Sequence, residues 1–230
     1  MNRTLPGRTR GPKVSKVLQD HLLDAAQIVF AQEGIRGASL RAIAREAGCD
    51  PSMIYYHFQG KEGMFEALLD RTIGPVVADL MALANPQDPR SVAERLWRVI
   101  CIYHAHLGKS DGLRGLVRGE IVRGAEGIQE SITRRVFPTL EAIAGLVKLG
   151  IDRDEIRADT PPLLATFFLA RMELEILDLI PVLGPRLAGT PAEKALPMAE
   201  QAWFRLFWRG IARRPDEALP FLPKDSGVQP

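Results

Sequence analysis

Two short helical segments, separated by a turn that contains glycine, lie between Ser39 and Lys61 and constrain the fold of this chain most strongly. Ser39 has the side chain of a helix N-cap, and apolar residues follow it at helical spacing. Gly48 stands where a helix can end in the left-handed conformation, and Asp50 offers a second N-cap before Pro51. This pattern predicts a helix-turn-helix, a motif whose second helix enters the major groove of DNA.

Residues near the start of each predicted helix are candidates for contact with double-stranded DNA. The Ser39 hydroxyl and Arg41 can reach a phosphate, since the N-terminus of a helix presents backbone donors to an anion. The first turn of the second helix, which begins at Pro51, is expected to point into the groove. There Ser52 can bond a base and Met53 can pack on a thymine methyl group.

The same stretch resembles a known family in three ordered blocks. They are Ile43-Ala44-Arg45-Glu46-Ala47-Gly48, Ile54-Tyr55-Tyr56-His57-Phe58 and Lys61-Glu62-Gly63-Met64-Phe65. In order and spacing, across roughly residues 16–73, they resemble the N-terminal domain of the tetracycline-repressor (TetR) family of bacterial transcription regulators. The remainder of the chain is similar to that family only in its helical layout.

The resemblance implies further contacts with DNA in the second helix and just after it. Tyr55 would meet base or sugar edges, and Tyr56, His57 and Lys61 would approach phosphates. The apolar residues of the same helix are expected to pack in the core, namely Ile54 and Phe58.

Basic residues are concentrated at the N-terminal end, although the net charge of the whole chain is only +2. Residues 1–16 contain Arg3, Arg8, Arg10, Lys13 and Lys16 and no acidic residue. A basic tail is often no more than a solvated segment, but next to a helix-turn-helix it can follow the DNA backbone or the minor groove.

The rest of the chain shows helical periodicity without strand-like alternation, so the predicted fold class is all-α. Further helices are predicted over about residues 15–32, 91–107, 111–123 and 126–149, and Gly150 is expected to end the last of these. The predicted domains begin with a disordered basic arm (1–14), the DNA-binding domain (15–60) and a linking helix (61–74). The linking helix is expected to break or kink at Gly74-Pro75. An effector-binding and dimerisation domain (75–214) and an irregular tail (215–230) follow.

Two helices near the C-terminal end, predicted over about residues 160–183 and 190–213, are rich in apolar residues. The first is apolar on more than one face, and the second has apolar residues three and four positions apart. Ordinary core packing explains part of this pattern. The alternative is a four-helix bundle with a second copy of the chain, and a homodimer is needed to hold two recognition helices one turn of DNA apart.

By resemblance, the helical body holds an apolar pocket for a small effector. Residues that could line it are Trp97, Cys101, His104, Phe137, Phe168 and Met172. For each of them, plain core packing is an alternative interpretation. Apolar walls with few polar groups favour a hydrophobic or aromatic effector.

A metal-sensing body is a second alternative, because Cys101 and His104 lie on one helical face. Metal sites usually need three or four ligands and no second cluster is visible in the sequence, so no metal and no cofactor are predicted. An effector-independent DNA-binding protein is the third alternative.

Several other classes of protein lack support in the sequence. No nucleophile elbow, phosphate-binding loop or dinucleotide fingerprint is present, so the chain is not expected to be an enzyme. No apolar run reaches the roughly 18 residues of a membrane helix. The two cysteines form no disulfide framework, which favours a reducing cytoplasm. A repressor is expected rather than an activator, because repression requires only occupancy of a promoter.

Overall fold

The computed structural model describes residues 12–122, 124, 129–189 and 191–223. Over that part of the chain the structure contains nine helices and no strand, which confirms the all-α prediction. In chain order the helices are α1 (Pro12–Gly37), α2 (Leu40–Glu46), α3 (Pro51–Phe58), α4 (Lys61–Leu83), α5 (Val92–Leu107), α6 (Asp111–Val122), α7 (Gln129–Asp152), α8 (Pro162–Ala188) and α9 (Ala192–Ile211).

The described residues form two compact units. The first unit comprises the residues up to Arg71 together with Gly112–Ser131, and the second comprises Thr72–Asp111 together with the residues from Ile132 onward. No helix in these parts of the chain has the length and apolar character needed to cross a membrane.

Helix α6 belongs to the first unit, whereas the sequence places it in the effector domain. The Glu120 carboxylate accepts a hydrogen bond from the backbone N–H of Ile35 at 3.4 Å. A side chain at Gly112 would lie 3.1 Å from the Gln27 amide nitrogen, so α6 packs closely on α1 here. These contacts join residues far apart in sequence, and for that reason helical periodicity alone did not predict them.

The core of the first unit is formed by α1 to α4. The Phe30 and Phe65 rings meet edge to face with their centroids 6.5 Å apart, and both side chains are buried. Other side chains without exposed surface complete this core, namely Leu22, Ala26, Ile43, Ile54, Met64 and Leu68. Burial of large apolar side chains stabilises each by about 1.5–3 kcal/mol, and this holds the short helices α2 and α3 in place.

Helix α4 continues past Gly74-Pro75, where the sequence predicts a break or kink. Pro75 lacks the N–H that would bond to the carbonyl four residues earlier, which costs the helix one hydrogen bond. Beyond the proline, Val76 and Leu80 are each only 1% exposed in the core of the second unit. The burial of these apolar side chains therefore offsets the hydrogen bond that is lost at Pro75, and the helix continues to Leu83.

The buried guanidinium of Arg95 satisfies the carbonyl groups at the end of α4. Its Nε donates to the Leu83 carbonyl at 2.8 Å, and its Nη2 donates to the Leu83 and Asn85 carbonyls, the latter at 2.9 Å. The last carbonyls of a helix have no partner within the helix. A side chain from α5 thus caps α4.

Helix α7 ends later than predicted. Gly150 lies inside it, and the helix extends to Asp152. A Cβ atom at Gly150 would lie 2.6 Å from Cδ1 of Ile156, so the glycine permits a close approach between α7 and the segment that follows. That segment forms an isolated antiparallel bridge between Ile156 and Ala212.

The C-terminal helices agree with the prediction in number and order, although α8 extends to Ala188. The tail has turns and no helix between Pro215 and Pro223, and Leu222 within it is buried in the core of the second unit. The predicted basic arm falls largely outside the described residues, and so does Thr190 at the expected start of the last helix.

Candidate nucleic-acid interface

Two side-chain caps define the helix-turn-helix, as the sequence predicts. The Ser39 hydroxyl accepts a hydrogen bond from the Ala42 N–H at 3.1 Å and begins α2. The Asp50 carboxylate accepts one from the Ser52 N–H at 2.8 Å and begins α3. Hydrogen bonds from the side chain and the backbone of Ser52 lower the pKa of Asp50, which favours its ionised carboxylate. Between the helices Gly48 has φ of +60°, a conformation that glycine adopts without strain.

The inner side of α3 is anchored by one core residue and one polar contact from α1, and a second contact from α1 reaches the end of α2. Ile54 has no exposed surface. The Gln19 side-chain amide donates to Nδ1 of His57 at 3.3 Å. His21 Nε2 donates to the Ala47 carbonyl at 3.0 Å, just before the turn. The inner side of α3 therefore packs on the core and on α1, and its outer side is exposed to solvent.

The outer side of α3 exposes two neighbouring aromatic residues. Tyr55 is 60% and Tyr56 is 82% exposed, and the Tyr56 ring stands edge-on to His57 with centroids 4.9 Å apart. Ser52 is exposed on the first turn of the helix, next to the half-buried Met53. Three further predicted contact residues are at least partly accessible: Ser39 and Arg41 are exposed, and Pro51 is half-buried.

Lys61 has a structural role that the sequence does not reveal. Its ammonium group donates to the Arg36 carbonyl at 3.0 Å and to the Ala38 carbonyl at 3.5 Å. It therefore joins the start of α4 to the end of α1 and the residues after it. An ammonium group has three donors, so one more remains for a phosphate.

Three of the six predicted effector-contact residues lie together on α5. The Trp97 ring packs on Phe204 of α9 with centroids 5.3 Å apart. The His104 Nδ1 lies 2.5 Å from a carboxylate oxygen of Glu200, also on α9. Cys101 lies between them on the same helical face and is exposed. This group faces the junction of α5 with α9.

The other three predicted effector-contact residues are exposed side chains of the second unit. Phe137, Phe168 and Met172 are 45%, 53% and 43% exposed. Phe168 and Met172 belong to a set of exposed apolar residues that we call the α8–α9 apolar face. Its members are Leu163, Leu164, Phe167, Phe168, Met172, Leu179, Val182, Leu183 and Leu206. Helical periodicity identified α8 as apolar on several faces, but it did not distinguish which of them the core covers.

Sequence reasoning missed two buried acidic residues in the second unit. Glu173 of α8 has no exposed surface, and Glu200 of α9 is 5% exposed. The available signal was a glutamate inside the otherwise apolar run of α8. A third feature it missed is a cleft of about 680 Å³, whose walls include Arg90, Arg153, Trp208 and Phe221. None of the predicted effector-contact residues lines that cleft.

Metal binding has no support from side-chain clustering. The described residues contain no group of three or more His, Cys, Asp or Glu side chains arranged to hold a metal ion. Of the two residues Cys101 and His104, His104 contacts α9 through Glu200.

These features define a helix-turn-helix protein with a helical second unit. The family model for bacterial regulatory proteins of the tetR family matches residues 22–68, which contain α2, α3 and the start of α4. In this part of its length the chain is similar to the tetR family. This agrees with the resemblance found in the sequence.

Two relatives show how far the similarity extends. AcrR of Shigella flexneri is 35% identical over 81 residues, which cover 34% of this chain and 37% of that protein. TtgW of Pseudomonas putida is 31% identical over 88 residues, which cover 38% of this chain and 60% of that protein. The match therefore spans less than two thirds of either relative. AcrR is named as an HTH-type transcriptional regulator and TtgW as an uncharacterized one, and both names agree with the predicted class of protein.

Most of the chain is also similar in fold to solved structures. FadR from Bacillus subtilis, solved in complex with stearoyl-CoA, has a TM-score of 0.67 and 20% sequence identity. The similarity covers 84% of this chain and 98% of that chain. At this identity the comparison concerns the fold.

Proposed function

We propose that this chain is a ligand-responsive transcription regulator that binds a palindromic DNA operator as a homodimer in the cytoplasm. In this proposal it acts as a repressor and is released by a small effector with an apolar body. The observation that carries the proposal is the exposure of Tyr55 and Tyr56 on a capped helix anchored by Ile54. Exposed aromatic residues with polar tips are typical of surfaces that contact a partner. The match of residues 22–68 to the tetR family model supports the same function.

In this proposal α3 lies in the major groove of the operator. Ser52 and Met53 contact base edges from the first turn, and Tyr55 contacts a base or sugar edge from the next. The remaining candidates, which position the protein on the phosphate backbone, are Ser39, Arg41, Pro51, Tyr56, His57 and Lys61. The Gln19 contact supports this arrangement for His57, because it orients the ring while leaving Nε2 available to a phosphate.

The α8–α9 apolar face supports the proposed homodimer. A monomer in water rarely exposes this many large apolar side chains on two adjacent helices. Two copies of α8 and α9 related by a two-fold axis would form a four-helix bundle and cover the face. Such a bundle would hold the two recognition helices at a fixed separation, as a palindromic site requires.

The α5 face that contains Trp97, Cys101 and His104 is the proposed effector contact. Partial exposure of Trp97 and His104 leaves room for a ligand against the aromatic ring and the imidazole. The solved FadR, which has the same fold, holds stearoyl-CoA, and this supports a ligand in the helical part of this chain. In this proposal Phe137, Phe168 and Met172 contact the effector once a second copy of the chain covers them.

The test of DNA recognition is selection of bound duplexes from a random pool at one fixed salt concentration, because affinity for DNA depends strongly on salt. We expect a two-fold symmetric sequence with half-sites about one helical turn apart. Recovery of no common sequence, with binding that only weakens as salt rises, would reject a sequence-specific regulator.

The test of the dimer is sedimentation of a Leu179→Glu variant, which places a charge on the α8–α9 apolar face. We expect the wild-type protein to sediment as a dimer and this variant as a monomer. Val17→Glu is the matched control, because Val17 is 71% exposed but lies on α1. A monomeric wild-type protein would contradict the proposal.

A further inference from the structure

The buried acidic residues Glu173 and Glu200 need an explanation that the proposed function does not supply. Glu173 has no exposed surface, and neither of its carboxylate oxygens receives a hydrogen bond from any described residue. Burial of a carboxyl group without a partner is costly, and buried charges are normally paired. Burial and the nearby charge of Glu200 both raise the pKa of Glu173.

Glu200 connects this buried pair to the surface. One of its oxygens lies 2.5 Å from Nδ1 of His104, whose side chain is 43% exposed. The exposed Cys101 lies one turn away on the same helix, and its thiol experiences the charges of both glutamates. Of these polar residues, His104 is therefore accessible to solvent and Glu173 is fully buried.

Two basic residues of the neighbouring helix surfaces have acidic partners of their own. Arg98 of α5 bonds to Glu94 at 3.1 Å, and Arg171 of α8 bonds to Glu175 at 2.5 Å. Thr166, on the same buried face of α8 and seven residues before Glu173, also has an unpartnered hydroxyl that is 1% exposed. The interior of the second unit thus contains carboxylate oxygens of Glu173 and a hydroxyl of Thr166 that have no described hydrogen-bond partner.

We propose that Glu173 and Glu200 bind the protonated amino group of the effector, with Trp97 against its apolar body. This inference rests on the proposed function, and it specifies the effector as an organic cation with an apolar part. An ammonium group brings a positive charge and up to three donors, which matches the Glu200 carboxyl group and the unpartnered oxygens of Glu173. A nearby tryptophan face adds attraction for a cation.

The binding test uses phenylalkylamines with two to six methylene groups and the alcohols of the same lengths as probes. Their binding to the full-length protein is measured by calorimetry at fixed pH and salt. We expect at least one amine to bind about ten-fold or more tightly than its alcohol, because hydrogen bonds between charged groups are the stronger ones. If no amine binds better than its alcohol, the proposal is overturned.

Two substitutions locate the preference. Glu173→Gln and Glu200→Gln should each reduce the affinity for the amine to that of the alcohol and leave the alcohol unchanged. Glu175→Gln is the matched control on α8, because Glu175 is paired with Arg171 at the surface, and it should preserve the preference. A full amine preference in both Glu173→Gln and Glu200→Gln would overturn the proposal, and each variant provides a check if the other does not fold.

Measuring DNA binding on the same samples separates this inference from the proposed function. Specific DNA binding without an amine preference would reject the inference alone. An amine preference without specific DNA binding would support the binding site at Glu173 and Glu200 and reject the proposed function as a transcription regulator. If Zn²⁺ binds instead of the amines, and His104→Ala abolishes that binding, the site takes a metal and the proposal is overturned.

Discussion

The two units of this chain differ in how their polar groups are satisfied. In the first unit each helix of the helix-turn-helix begins with a cap from a residue close in sequence, Ser39 for α2 and Asp50 for α3. In the second unit the buried Arg95 bonds to the end of α4, and the buried carboxylate oxygens of Glu173 have no described hydrogen-bond partner. The comparison indicates that short-range sequence signals specify the helix-turn-helix, whereas the buried polar groups of the second unit are revealed only by its tertiary structure.

The largest effect on stability is expected for Arg95→Leu in the second unit. The substitution leaves the carbonyls of Leu83 and Asn85 without their buried donor, which should lower the free energy of unfolding by about 3 kcal/mol. Urea denaturation measures this change. Arg98→Leu is the control on the same helix, because its ion pair with Glu94 is partly exposed and should contribute less than about 1 kcal/mol. Equal losses in the two variants would contradict the role of Arg95.

A smaller effect, which depends on pH, is expected from Glu173. Burial, followed by repulsion from Glu200, raises the pKa of Glu173 to about 9, from an ordinary value of 4.5. The folded state therefore retains a proton that the unfolded state releases above about pH 4.5. The resulting stability is greatest below that pH and is lost progressively up to about pH 9, by at most about 1.4 kcal/mol per pH unit.

The measurement is urea unfolding of the wild type and Glu173→Gln at pH 6 and pH 8. We expect the stability of the wild type relative to the variant to fall by about 2 kcal/mol between these values. The titratable groups that face the pair are Tyr103, Cys101 and His104 from α5, and all of them are unchanged in the variant. Parallel pH profiles for the two proteins would contradict the burial of an uncompensated carboxyl group.

The smallest effect is expected at the local caps of the first unit. Ser39→Ala removes the acceptor for the Ala42 N–H and should lower the free energy of unfolding by about 1 kcal/mol. Ser39→Asp should retain most of the stability, because aspartate also caps helices well. If both variants lose the same free energy of unfolding, the Ser39 hydroxyl does not stabilise the protein as the N-cap of α2, and this prediction is wrong.

The sequence predicts the helix-turn-helix well because its signals are local. Ser39, Gly48, Asp50 and Pro51 each act within a few residues, and the structure confirms the conformation expected at each. The continuation of α4 through Pro75 was not predicted, because it depends on the burial of residues beyond the proline in a separate core. The position of α6 was missed for a related reason, since its contacts with α1 span much of the chain.

The candidate sites show the same division. Exposure of Tyr55 and Tyr56 agrees with the predicted contact surface, although contact with DNA stays a prediction. Trp97 and His104 were selected as residue types in an apolar helix, and the structure brings both against α9. Phe168 and Met172 were selected on the same basis and are exposed, because composition does not reveal which face of α8 the core covers.

The central claim is that the outer side of α3 reads DNA, and Tyr55→Ala tests it most directly. Affinity for the selected duplex is measured at fixed salt, with sedimentation to verify the oligomeric state. Phe137→Ala is the control, because it removes an exposed aromatic ring from the second unit. We expect Tyr55→Ala to weaken binding by at least about ten-fold with an unchanged oligomeric state, and Phe137→Ala to have no effect. Binding at full strength by Tyr55→Ala would contradict the account.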